Sequence, residues 1–537
     1  MPGVEVAVPR YLRNVGESPT PDEFTVSGDV PNWLHGSLYA SAPGLFDMDN
    51  GSVLNWMDGY AVISKFEISG KNVKHVSRYL QSDAYKKAVK AQRPISCEFG
   101  TPPATDSKKG FFAKILPTFG PFDPTDNCIG HVFQIGNNLY TAGDTCYFHE
   151  LDPSTLETLK TYHATKAFNA NSFCPQPITD DNGDMYIISG SMQPTFRYTI
   201  QKMEAKDRGK NLDRRFHNLA SIPSRWMFGG SPCRSFAMTK NYIIFVEMPV
   251  VLNVMKLAAT YVKGYCTKDW LDWRPHDGTK FYLVNKNTGK VLKTEIFAET
   301  TFALSAVVNA YEDSDFIILD VISFPNVDTN NALNLSEMRS ANIGKDIETG
   351  TLVRFAIPLT ASKKDKDKDK EDASDHGDGE TQVELSKNMP ENYTSIRVAK
   401  KGSKLLLTPE VITTKGPGFD FCAINPNYRG KKYRYTYGIS SYISPYSPYA
   451  HKMIKVDVDS KETVDWEFQE DQVMHEPIFV PNPTGESEDD GLLITVLKMK
   501  FQEENFLVVI DAKTMKEVGR ARFTSKVGPW LHASFIQ

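Results

Sequence analysis

Eleven histidines, seven cysteines and 66 acidic residues are the side chains of this 537-residue chain that could hold a metal or move protons. The cysteines (Cys97, Cys128, Cys146, Cys174, Cys233, Cys266 and Cys422) are odd in number and scattered, and none forms a C-x-x-C pair. That pattern suggests neither a disulfide framework nor a zinc knuckle, and reduced thiols are expected. Among the histidines, His131 and His475 flank strand-like segments, and His532 sits in Trp530-Leu-His-Ala-Ser-Phe535. Net charge is −5, so a general nucleic-acid binder is disfavoured, because phosphate recognition needs a concentrated basic surface.

The elements that must position these groups are mostly strands. Tyr60 to Ile68, Val132 to Ala142, Met185 to Ser189, Tyr242 to Val246, Phe316 to Val321, Lys404 to Leu407, Leu492 to Leu497 and Phe506 to Ile510 are rich in Val, Ile, Phe and Tyr. Gly, Asn, Asp or Pro bounds most of them. Phe133-Gln-Ile-Gly-Asn-Asn-Leu-Tyr140 has hairpin form, and Ser82 to Lys90 is the clearest helix. Many short strands with few helices indicate an all-β fold, closed or radially repeated. No WD or kelch signature decides between barrel and propeller.

Residues 361–382 (ASKKDKDKDKEDASDHGDGETQ) lack large apolar side chains and are expected to form a disordered charged loop. Apolar strands continue on both sides, so it is not a domain boundary, and residues 1–537 are expected to form one domain. The first 14 residues lack the apolar run of a signal peptide, and no window approaches the ~20 apolar residues that span a bilayer. The expected location is cytoplasmic, with peripheral contact to an intracellular membrane as an option.

Several stretches carry a family resemblance. Pro31-Asn-Trp-Leu-His-Gly-Ser-Leu38, Pro43-Gly-Leu-Phe46, Met57-Asp-Gly59, Glu98-Phe-Gly-Thr101, Thr125-Asp-Asn127 and Asp152-Pro-Ser-Thr-Leu-Glu-Thr158 come first. Asn241-Tyr-Ile-Ile-Phe-Val-Glu247, Asn309-Ala-Tyr-Glu-Asp313, Tyr435-Thr-Tyr-Gly438 and Glu476-Pro-Ile-Phe-Val480 follow in order. Together they resemble the animal branch of the carotenoid cleavage oxygenases, which includes carotene oxygenases, insect carotenoid isomerooxygenases and the retinoid isomerohydrolase of the eye. The resemblance implies a seven-bladed β-propeller with a dome of helices and loops over one face. It also implies a non-haem Fe(II) on the axis, held by four histidines and backed by glutamates, at the end of an apolar tunnel for a polyene.

Carried over position by position, the resemblance puts Cys174, Arg234, Ala306 and His532 at the four ligand positions, and Asp144, Asp420 and Glu476 at the supporting carboxylates. Only His532 keeps an imidazole. Alanine supplies no donor, and arginine is a permanent cation that repels a divalent ion. Cys174 as thiolate would give only two ligands with His532, too few for an oxygen-activating iron. No cofactor is therefore expected, and Arg234 is expected to act as a plug that neutralises the carboxylates through hydrogen bonds.

The leading functional reading is a catalytically degenerate homologue that binds a carotenoid, retinoid or other apolar isoprenoid without cleaving it. An active oxygenase with a rearranged metal site and a partner-binding scaffold are the alternatives. Phe111, Phe112, Ile115 and Leu116 are expected to face a membrane. So are Val254 and Leu257, on a helical stripe that also takes in Val250, Val251, Ala258 and Tyr261.

Overall fold

The structure is a computed structural model. It describes residues 8–104, 124–168, 170–192, 194–210, 215–327, 333–340, 349–359, 383–384, 393, 395–413, 418–441, 450–469, 471–530 and 532–537. The charged segment 361–382 and the membrane-facing expectation for Phe111, Phe112, Ile115 and Leu116 lie outside the described residues.

Short apolar strands joined by tight turns pair, mostly antiparallel with their sequence neighbours, into seven blades, and the fold is a seven-bladed β-propeller; in blade four Glu295–Ala298 pairs in parallel with Lys404–Thr408. Their innermost strands surround the axis: His532–Ile536 in blade one, His131–Ile135 in blade two and Ser172–Phe173 in blade three. Ala237–Met238, Ala303–Asp313, Gly418–Ala423 and Ile478–Pro481 fill the same place in blades four to seven. The hairpin read in the sequence is present: His131–Ile135 turns into Asn138–Ala142, and Gly136 takes φ +62° at its first corner, a conformation that glycine adopts without strain. Ser82 caps the helix Asp83–Ala91 by accepting a hydrogen bond from the Tyr85 amide.

One expected stripe divides. Val250–Leu252 is a strand paired with Leu271–Trp273, and the helix begins only at Val254, after Asn253 accepts from the amides of Met255 and Lys256. β-Branched Val250 and Val251 favour the pleated surface, so they are buried beside that partner strand instead of extending the helix. Val254 and Leu257 are half-buried on the short helix Val254–Ala258.

The core is not one mass but a ring of layers between blades. One cluster joins blades one and seven through Phe66, Val62, Ile494 and Val509, and another joins blades three and four through Tyr198, Ile200 and Phe245. Gly491–Met499 is buried along its whole length, as expected of a strand covered on both faces. In blade five, Arg354 makes a bidentate pair with Asp320 (Nε–Oδ1 2.8 Å, Nη2–Oδ2 2.7 Å), and the Tyr433 hydroxyl donates to Asp320. Among the described residues no helix is long and apolar enough to cross a membrane.

Candidate functional site

The inner strands surround a cavity of about 500 Å³. That is the size range of small-molecule sites, about 300–1,000 Å³. Each blade contributes to its wall: His532 from blade one, His131 and Asp144 from two, Pro175 and Gln176 from three. Arg234, Ala306, Asp420 and Glu476 come from blades four to seven. Phe236, Met238, Phe421, Ile424, Ile478 and Phe479 are among the apolar side chains between them.

Six of the seven positions expected to converge therefore line one cavity. Cys174 lies just behind the wall, fully buried, with its thiol donating to the Arg234 carbonyl at 3.1 Å. Hydrogen bonding to the Cys174 thiol and then burial push the neighbouring Cys233 thiol well above its ordinary value, so Cys233 offers no ready thiolate.

His532 Nδ1 lies 3.2 Å from Glu476 Oε1, and the other carboxylate oxygen accepts the Ala533 amide at 2.9 Å. Burial opposes charge on this imidazole, but the charge and hydrogen bond of Glu476, with help from Asp420, outweigh it and raise the pKa above the ordinary histidine value. Asp420 accepts from the Ser305 hydroxyl at 3.0 and 3.1 Å and from the Phe421 amide at 2.9 Å. Burial pushes its carboxyl up to about 6 in spite of those bonds.

The expected plug is not formed. Arg234 Nη2 stands 3.9 Å from Asp144 Oδ2, beyond hydrogen-bond reach, and both side chains are about half exposed to the cavity. Among the described residues Asp420 bonds Ser305 and the Phe421 amide, Glu476 bonds His532 and the Ala533 amide, and neither carboxylate bonds Arg234.

Two polar groups on the wall have no strong signal in the sequence. His131 stands beside His532, ring centroids 6.4 Å apart, with Nε2 3.1 Å from the Ser534 hydroxyl and Nδ1 buried without a hydrogen-bond partner. Burial, reinforced by the charges of His532 and Arg429, pulls its pKa down to about 3, so this ring is neutral. Arg429 enters from the turn after Pro426–Tyr428. Neighbouring Lys431, Lys432 and Arg434 make its stretch read as ordinary solvated surface, which hid it. His475 is buried away from this cavity, its ring 4.1 Å from Trp530.

The fit of an Fe(II) ion turns on the donor set. Of the four positions assigned by resemblance, one presents an imidazole, and His131 raises the number of rings on the wall to two. Arg234 adds a cation and Ala306 no donor, so the residues present do not fit a four-imidazole shell. Among the described residues no group of three or more His, Cys, Asp or Glu side chains is arranged to hold a metal ion.

A propeller with a walled axial cavity of this kind defines the class, and comparison with known proteins agrees. The chain matches the family described as Retinal pigment epithelial membrane protein over residues 12–537. It is 30% identical to the β,β-carotene 15,15′-dioxygenase of Rattus norvegicus, over 98% of this chain and 91% of that protein. The mitochondrial carotenoid-cleaving dioxygenase of Mustela putorius furo is 29% identical over 98% of this chain and 95% of its own. A variant of the Synechocystis apocarotenoid oxygenase superposes with a TM-score of 0.75 at 22% identity, covering 98% of both chains. This chain belongs to the retinal pigment epithelial membrane protein, or carotenoid oxygenase, family.

Proposed function

We propose that this protein binds an apolar isoprenoid, a carotenoid or retinoid, in the axial cavity and does not cleave it. The observation that carries the reading is the pair Arg234 and Ala306 on the wall where relatives named as dioxygenases are expected to present histidines. The apolar lining supplies binding energy at roughly 25 cal/mol per Å² of ligand surface removed from water. His532, Glu476 and Asp420 remain as a hydrogen-bonded polar end that fixes orientation. No cofactor is part of this reading.

The competing reading, an oxygenase with a rearranged site, draws on the proximity of His131 to His532. Metal analysis and organic extraction of purified protein separate the two. The expected result is an extractable isoprenoid, sub-stoichiometric iron and no apocarotenal from β-carotene or zeaxanthin with added Fe(II). Stoichiometric iron with iron-dependent product overturns the proposal.

Membrane contact is part of the same reading. Met255 and Val262, 77% and 42% exposed, flank half-buried Val254 and Leu257, with Lys263 placed for lipid headgroups and Lys256 paired with Asp272. Co-sedimentation with anionic vesicles, lost in Met255→Glu with Val262→Glu, tests this contact, and cell fractionation tests the cytoplasmic, membrane-peripheral location that goes with it.

A further inference from the structure

The cavity wall carries a cation that nothing else in the site uses. Arg429 follows the turn Pro426–Tyr428, and its exposed side chain lines the cavity. Among the described residues its guanidinium has no hydrogen bond and no ion pair. A guanidinium that lines a cavity and has all its donors free can take an anionic group from a ligand.

The turn that presents it is tightly built. Asn309, buried on the inner strand of blade five, donates from Nδ2 to the carbonyls of Tyr428 and Lys431, each at 3.0 Å. Its Oδ1 accepts the Gly430 amide at 2.9 Å. Gly430 itself takes φ +76°, and a Cβ there would come within 3.1 Å of the Met238 carbonyl. Asn425 accepts the Asn427 amide at 3.0 Å and donates to the Glu488 carbonyl at 2.8 Å. Three hydrogen bonds to one buried asparagine therefore fix the backbone on either side of Arg429.

The other charges on the wall are spoken for. Glu476 is engaged by His532, Asp420 by Ser305 and the Phe421 amide, and Asp144 stands nearest Arg234. Glu98, the remaining carboxyl on the wall, has its pKa raised well above the ordinary value by burial and by the charge of Asp58, which favours its neutral form. Arg429 is left without an anion, on a wall that also carries Phe421, Ile424 and Phe479.

We propose that Arg429 anchors the carboxylate of an amphipathic ligand whose apolar chain fills the cavity, so that the preferred ligand is an isoprenoid acid. A planar guanidinium matches a carboxylate bidentately. Carboxylates elsewhere on the wall favour a monoanion over a phosphate, since each further negative charge on the ligand meets Asp420, Glu476 or Asp144. This inference rests on the isoprenoid-binding reading and adds the headgroup to it.

The test uses the full chain and four probes: all-trans-retinoic acid, its methyl ester, all-trans-retinol and β-carotene, with binding followed by tryptophan quenching. The acid should bind roughly 10- to 100-fold tighter than the ester or the alcohol. Arg429→Gln should remove that preference and leave ester and alcohol binding unchanged, and Arg429→Lys should restore part of it. The comparison of acid with ester needs only the unsubstituted chain, so it stands even if a variant misfolds. Equal affinity for acid and ester overturns the anchor, as does an acid preference that survives in folded Arg429→Gln. Binding of β-carotene or retinol without a preference for the acid leaves the isoprenoid-binding reading intact while sinking the anchor. Failure of all four probes to bind sinks both.

Discussion

Replacing Asp420 by Asn probes the electrostatics of the axis, because the new side chain keeps an acceptor for Ser305 and the Phe421 amide but cannot ionise. In the folded protein burial raises the Asp420 carboxyl from 3.8 to about 6. A folded value above the unfolded one means that its contribution to stability is complete below about pH 4. That contribution is lost as the pH rises through about 6. The interval from 3.8 to about 6 corresponds to roughly 3 kcal/mol at 1.36 kcal/mol per pH unit. Asp420→Asn should therefore match the original chain near pH 4 and exceed its stability by up to roughly 3 kcal/mol near pH 8. Asp420 also supports the His532 imidazolium, so the full gain is expected only where that ring is neutral. Urea unfolding of both proteins across this range, by midpoint or by unfolding rate, measures the gap. A gap that is constant with pH would refute the assignment of a raised carboxyl to Asp420.

Glu476→Gln should drop the His532 pKa below the ordinary histidine value, because burial then loses its chief opponent; NMR titration of the labelled ring reads this. Asp320→Ala leaves Arg354 buried without its bidentate partner and should cost about 3–5 kcal/mol, seen as a lower Tm. Replacing both partners with apolar residues of similar volume should cost much less. The triple change Cys174→His, Arg234→His and Ala306→His should raise Fe(II) affinity, measured by competition with a chelator. It should leave turnover weak, because aspartates at 144 and 420 reach less far than glutamate.

Much of the blade structure is legible in the sequence. Segments such as Leu492 to Leu497 and Phe316 to Val321 are apolar, short and bounded by turn residues, and each lies inside an observed strand. Ring closure is not legible in that way, since local patterning is the same in a barrel. Only the family motifs distinguish the two. The stripe from Val250 to Tyr261 misleads because helical spacing of apolar residues continues past Asn253, whose side chain caps a helix that starts after it. The family motifs pick out Arg234 and the carboxylates, which line the cavity, but not their partners, because Ser305 reaches Asp420 from a strand more than a hundred residues away. Arg429 is the clearest omission. Its importance comes from Asn309 and from the cavity it faces, and neither is adjacent in sequence.

The strand bearing His532 is also the strand that closes the ring. His532–Ile536 pairs with His35–Leu45 of blade one, while Ser27–Gly28 crosses to pair with Lys516–Phe523 of blade seven. A ribosome delivers the rest of the propeller before this clasp emerges. Until then the cavity lacks the blade-one part of its wall and the imidazole partner of Glu476.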